Sequence, residues 1–200
     1  MQITSVCLIF QMAVASSAAI IAQTNLPEGY RLADMTWTGV VEKGGPAMSF
    51  VGTVQSVENQ VKEINSSWTI YNQWNAPQQE KRSEVSKRYP TDLLCDVPNF
   101  SAADSSPVKE GVKYLRGLGG GCGVGARSCV RVSCSWNGAI HLCNNNDHSI
   151  SPSCSYLGDL ADTIVTKCLN KESNCRTGPR GQGQQWDNEN FNVIVALDQC

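Results

Sequence analysis

Apolar side chains change their spacing several times along this chain, and each spacing predicts an element. Met35, Trp37 and Val40-Val41 form one strand, Glu42-Lys43-Gly44-Gly45-Pro46 a turn, and Met48 to Val51 a second strand. Thr53 then caps a helix in which Val54, Val57, Val61 and Ile64 share one face. Residues 76–90 are polar, bounded by prolines and without any period, so they read as an exposed linker. Beyond it, Val130, Val132 and Cys134 alternate with polar residues, and Ala139 to Cys143 follows the dipeptide Asn137-Gly138. Asn-Gly between two such runs predicts a tight hairpin, because both central residues must take positive φ. The register that follows sets Trp136 opposite Ala139, Cys134 opposite His141 and Val132 opposite Cys143. Leu157, Leu160, Ala161, Ile164, Val165 and Cys168 then keep helical spacing, with Ser151-Pro152 or Ser155 opening the helix. A Gly- and Gln-rich loop over residues 178–185 leads to a last strand, residues 191–195, and the chain ends on Cys200.

The first 22 residues carry no charged side chain and lead from an apolar core into the small residues Ala15-Ser16-Ser17-Ala18-Ala19. This is the pattern of a secretory leader, with cleavage expected between Ala19 and Ala22. Gln11 and the two serines interrupt it, which argues against a membrane anchor, and no other segment is apolar enough to cross a bilayer. Ten cysteines in 200 residues agree with export. Cys7 leaves with the leader, and Cys95, Cys122, Cys129, Cys134, Cys143, Cys154, Cys168, Cys175 and Cys200 remain. Nine is odd, so four bridges and one leftover thiol are expected, with Cys175 as the free one because it lies in a polar stretch. The bridge to Cys200 is expected to tether the last strand. Net charge is only −2, with no basic run beyond Lys81-Arg82 and Lys87-Arg88, so nucleic acid is not an expected partner. Those two pairs resemble sites cut by kexin-type processing proteases, and they divide the cysteine-free stretch, residues 23–75, from the cysteine-rich residues 91–200.

Candidate chemistry is sparse. No cysteine pair has the C-x2-C spacing of a zinc site, and no metal or cofactor is expected. The glycine run at residues 117–125 lacks the Lys-Ser/Thr pair of a nucleotide loop and reads as a connector holding Cys122. His148 beside Asp147 belongs to a polar turn, and His141 to a strand next to Cys134. Asp159 and Asp162 fall on the solvent face of their helix. A small secreted hydrolase such as a ribonuclease would need a histidine, Glu189 and Arg131 to converge. Asn65-Ser66-Ser67 and Asn99-Phe100-Ser101 are glycosylation sequons.

The run from Cys129 through Trp136-Asn137-Gly138 to Cys143, the Asn-rich loop after it, the helix ending at Cys168 and the segment from Gly183 to Val195 resemble uncharacterised cysteine-rich secreted proteins of filamentous fungi. Members of that group are commonly candidate effectors, acting in virulence. In topology more than in residues, the chain is also similar to the virally encoded, toxic killer proteins of smut fungi, which are compact α/β sandwiches. Neither resemblance brings catalytic residues. The expected fold is α+β, an antiparallel sheet packed against two helices under about four disulfides. The expected role is non-catalytic binding of an extracellular host or competitor protein. An inhibitor of an extracellular protease is the alternative, with Gly181, Gln182, Gly183, Gln184 and Gln185 as a contact loop, and a small hydrolase is a further one. A hydrolase needs a histidine and a carboxylate paired in a cleft, whereas an inhibitor needs a protruding, disulfide-braced loop.

Overall fold

The computed structural model describes residues 30–70, 88–169 and 179–200. Within them the order is β1 (Arg31–Ala33), β2 (Thr36–Val40), β3 (Ala47–Val51), α1 (Val54–Ile64), β4 (Pro90–Cys95), β5 (Ala103–Asp104), α2 (Ser105–Leu118), β6 (Gly121–Gly123), β7 (Ser128–Ser135), β8 (Gly138–Asn144), α3 (Cys154–Cys168), β9 (Arg180–Gly181), β10 (Gly183–Asp187) and β11 (Phe191–Leu197). The fold is α+β. Its main sheet runs β1-β7-β8-β11-β10-β4, and β3-β2-β6 and β5-β9 make two smaller ones. All pairings are antiparallel except β1 with β7, which is parallel, so the main sheet is mixed rather than purely antiparallel.

Among the described residues three helices, not two, cover the sheets. Thr53 Oγ1 caps α1 by accepting the N–H of Ser56, and Val54, Val57 and Val61 are buried as their spacing predicts. Ile64, expected on the same face, is 52% exposed because α1 is ending there. The cap of α3 is Ser153, between the two positions expected, and its hydroxyl accepts from the Tyr156 N–H. The unexpected helix is α2, which buries Val108, Val112, Leu115 and Leu118 and stops where Gly119 turns to a φ of 65°. Together α2 and α3 sit on the face of the main sheet that carries Val130, Val132, Leu142, Val193 and Val195. Cys129, Cys143, Ile194 and Ala196 form a smaller cluster, capped by Tyr30 and Phe100.

The cysteine-free stretch is built into this core. β1 pairs with β7 and β2 with β6, while Trp37 is fully buried and donates its indole N–H to the Gly119 carbonyl at 3.0 Å. Of the expected linker, residues 76–87 lie outside the described residues, among them Lys81, Arg82 and Lys87. Arg88 pairs with Glu189, and Pro90, taken as linker, opens β4.

Four bridges join Cys95–Cys168, Cys122–Cys154, Cys129–Cys143 and Cys134–Cys200. They use the eight cysteines expected to pair, and Cys175 lies outside the described residues. Cys200 is bridged as expected, to Cys134, but β11 is also held by pairing on both sides. That strand is central, paired with β8 from Phe191 to Leu197 and with β10 on its other side, and the bridge lies in the tail beyond it.

The Gly- and Gln-rich stretch is also corrected. Residues 180–181 and 183–187 are strands, and Gln182, Gln184 and Gln185 are buried. Their amide nitrogens donate inside the protein: Gln182 to the Val97 carbonyl, Gln184 to Asn192 Oδ1, and Gln185 to the Asp92 carbonyl. The glycines are close-approach positions rather than flexible ones. A Cβ on Gly181 would lie 2.5 Å from the Cys168 carbonyl oxygen, and one on Gly183 would lie 2.8 Å from Ile164 Cγ2. No contact loop is available there.

Candidate functional site

The exposed, disulfide-backed feature is the tip of the β7–β8 hairpin, whose turn comes one residue earlier than expected and whose pairing is thereby shifted by two. Ser135 pairs with Gly138 and Cys134 with Ala139, and beyond a bulge between Arg131 and Ser133 the pairs are Arg131 with His141 and Cys129, in place of Val132, with Cys143. The two turn residues are therefore Trp136 and Asn137, at φ of 47° and 61°. Gly138 is needed for a different reason: a Cβ there would meet Pro107 at 3.0 Å and Val108 at 3.2 Å, so α2 seats directly on it. Packing of the helix thus overrides the turn preference of Asn-Gly. Trp136 is pushed into a left-handed conformation with its ring 85% exposed.

The C-terminal tail clasps this turn from behind. Leu197 pairs with Gly138, the Asp198 N–H donates to the Asn137 carbonyl at 3.0 Å, and Cys200 is bridged to Cys134. The Asp198 carboxylate lies 3.0 Å from His141 Nε2 and 3.8 Å from Arg131, whose guanidinium also donates to the Gln199 carbonyl. Burial acts to raise the Asp198 pKa, but the hydrogen bond and charge of His141, the Gln199 N–H and Arg131 outweigh it and hold the carboxyl below its ordinary value. His141 Nε2 is the ring nitrogen that faces Asp198. Its Nδ1 is buried and has no hydrogen-bond partner among the described residues.

Arg131 and His141 come together as cross-strand neighbours, yet their carboxylate is Asp198. Glu189 instead pairs with Arg88 at the far turn, between β10 and β11. His141 is only 5% exposed, so its pairing is not in a cleft. His148 lies 3.1 Å from Asp147, but both side chains stand in solvent, 68% and 91% exposed. A cavity of about 200 Å³ between β1 and the start of α1 is lined by Leu32, Asp34, Met35, Thr53 and Arg131, without a histidine. Asp159 and Asp162, expected to be merely solvated, both bind Arg116 and join α3 to α2. The glycine run is the connector expected: Gly119 and Gly120 turn with positive φ, and residues 121–123 pair with β2 around the Cys122 bridge.

Sequence reasoning missed Asp198 and the placement of Trp136. The first is in contact with a residue 57 positions away, which no local spacing signals. The second depends on α2, itself unread. Among the described residues no group of three or more His, Cys, Asp or Glu could hold a metal ion, and no helix is long and apolar enough to cross a membrane. No family model, no curated protein and no solved structure matches this chain.

Proposed function

We propose that the protein works outside the cell as a non-catalytic binding protein, with Trp136 as the anchor that enters a host or competitor protein. Export is supported by the leader-like first 22 residues together with four disulfides. The observation that carries the binding role is the exposure of Trp136 on a turn that folding alone disfavours. A large aromatic residue there costs stability and leaves most of its surface in solvent among the described residues. Exposed tryptophans on rigid supports are the residues most often found to dominate interfaces. The clasp of Cys200, Asp198 and Arg131 fixes the turn beforehand, which lowers the ordering cost of association. Leu197, also exposed, pairs with Gly138 at the end of the same turn.

The test is to capture partners from host extracellular fluid with the secreted protein and then titrate the purified partner against wild type and Trp136→Ala. Truncating an anchor of this kind costs about 2 kcal/mol or more, a loss of about 30-fold in affinity. Equal affinity for the two proteins would remove Trp136 from the interface. The same tip favours a second reading, inhibition of an extracellular protease. Left-handed backbone at Trp136 is not the extended form that a protease cleaves, so such inhibition would act by plugging the cleft. Assays against secreted proteases separate the two readings, since a binding protein without that role leaves proteolysis unchanged.

A further inference from the structure

Two sequons are present, and the fold treats them differently. Asn65 follows the last residue of α1, and its side chain is fully engaged. Its Oδ1 accepts from the Ser67 N–H at 3.2 Å and from the Ser67 hydroxyl at 2.7 Å, while its Nδ2 donates to the Val41 carbonyl at 3.3 Å. These bonds close the helix end and hold it against the strand β2, so the fold by itself explains both Asn65 and Ser67.

Asn99 and Ser101 are the opposite case. Asn99 takes a φ of 71°, which accounts for asparagine over most other residues, but its side chain is exposed and makes no hydrogen bond among the described residues. Phe100 packs onto the small cluster with Ile194 and Ala196, and the Ser101 carbonyl accepts the Leu197 N–H at 2.9 Å. Both contacts fix the loop, and neither uses the Ser101 hydroxyl. That hydroxyl has no structural role among the described residues.

We infer that Asn99 is the site of an N-linked oligosaccharide in the exported protein and that Asn65 is not. The inference rests on the export reading. In the transfer, Asn99 Nδ2 bonds to the anomeric carbon of a lipid-linked oligosaccharide diphosphate and loses one proton. The bond from that carbon to the diphosphate breaks, and the lipid diphosphate leaves. At Asn65 a glycan would have to fit on the nitrogen that already donates to the Val41 carbonyl, so the folded end of α1 crowds it. The Asn99 loop is joined through the Ser101 carbonyl to Leu197, the residue paired with Gly138.

The experiment expresses the full chain in a glycosylating fungal host, once with its own leader and once behind a proven secretory leader. Secreted protein is compared by intact mass before and after endoglycosidase, for wild type, Asn99→Gln, Ser101→Ala and Asn65→Gln. One glycan is expected, absent from Asn99→Gln and Ser101→Ala and unchanged in Asn65→Gln. A glycan that persists in Asn99→Gln, a second glycan on wild type, or none on the protein behind the proven leader overturns the site. If only the protein with its own leader stays inside and unglycosylated, export fails while the Asn99 site stands.

Discussion

At Trp136 a left-handed backbone, which costs an L-residue about 1–2 kcal/mol, coincides with 85% exposure of the residue, so little burial among the described residues offsets that cost. Binding and stability should therefore respond in opposite directions to one substitution. Trp136→Asn keeps the turn, since asparagine tolerates this conformation, and the melting temperature should hold or rise by about 2–4 °C while partner affinity falls. A fall in melting temperature would mean that the indole packs against the protein, and its exposure would no longer argue for a partner. The tail behind the turn gives a pH signature. The folded state holds the Asp198 carboxyl below its ordinary value, so its contribution is complete above the unfolded value of about 4 and is lost as pH falls below it. Wild type should therefore lose stability in acid more steeply than Asp198→Asn, which keeps the same shape without the titration. Thermal melts across that range decide it, and parallel acid limbs would assign the acid sensitivity to other carboxyls.

Among the elements, the packed glycines of β9 and β10 give the sharpest test of strand against loop. In a contact loop, alanine at these positions would be tolerated. Here the Gly181 Cβ would press on the α3 backbone, and that of Gly183 on Ile164, the Cys168 sulfur and the Leu94 carbonyl. Overpacking of this kind typically costs about 1–3 kcal/mol, and Gly181→Ala and Gly183→Ala should each show it in denaturant titrations. Unchanged midpoints would return the segment to a loop. The same stretch shows where sequence reading stops. β2, β3, α1, β7, β8, α3 and β11 were legible because one face of each is apolar at its own period. β10 was not, because buried amides that hydrogen-bond across a sheet look like a polar loop when their partners are unknown. α2 escaped because Ser105-Ser106-Pro107, Gly111 and Gly117 read as breakers, although proline fits a first helical turn and Gly111 packs against Ser133 and Ile140. With α2 unread, nothing in the sequence showed that Gly138 must make room for a helix. The Asn-Gly rule therefore placed the hairpin turn one residue late, at Asn137-Gly138 instead of Trp136-Asn137. The pairing of His141 with Asp198 needed the β8–β11 register, which is a property of the assembled sheet.

For the molecule as a whole, covalent and packing connections are distributed unevenly. All four bridges lie within residues 95–200, so the cysteine-free stretch is held by packing and hydrogen bonds alone. That packing is extensive: Met35, Trp37, Val54, Val57, Val61 and Trp68 are fully buried in the shared core, and β1 and β2 each extend a sheet of the cysteine-rich part. Cleavage at Lys81-Arg82 or Lys87-Arg88 would therefore yield a two-chain protein rather than a released pro-segment. Without its first chain, the second would expose Cys122 and Val124 and leave β7 as a bare edge, a liability for aggregation. Joining two chains costs association entropy that the intact chain does not pay, so the cut form should melt lower and with a midpoint that rises with concentration. Digestion with a dibasic-specific protease, followed by gel filtration in native buffer, should give one peak at the elution volume of the intact protein. Concentrated guanidinium without reductant should then separate the two chains, since no disulfide joins them. If the chains part in native buffer and residues 91–200 stay folded and monomeric, the shared core is dispensable, and the cysteine-rich part is a domain in its own right.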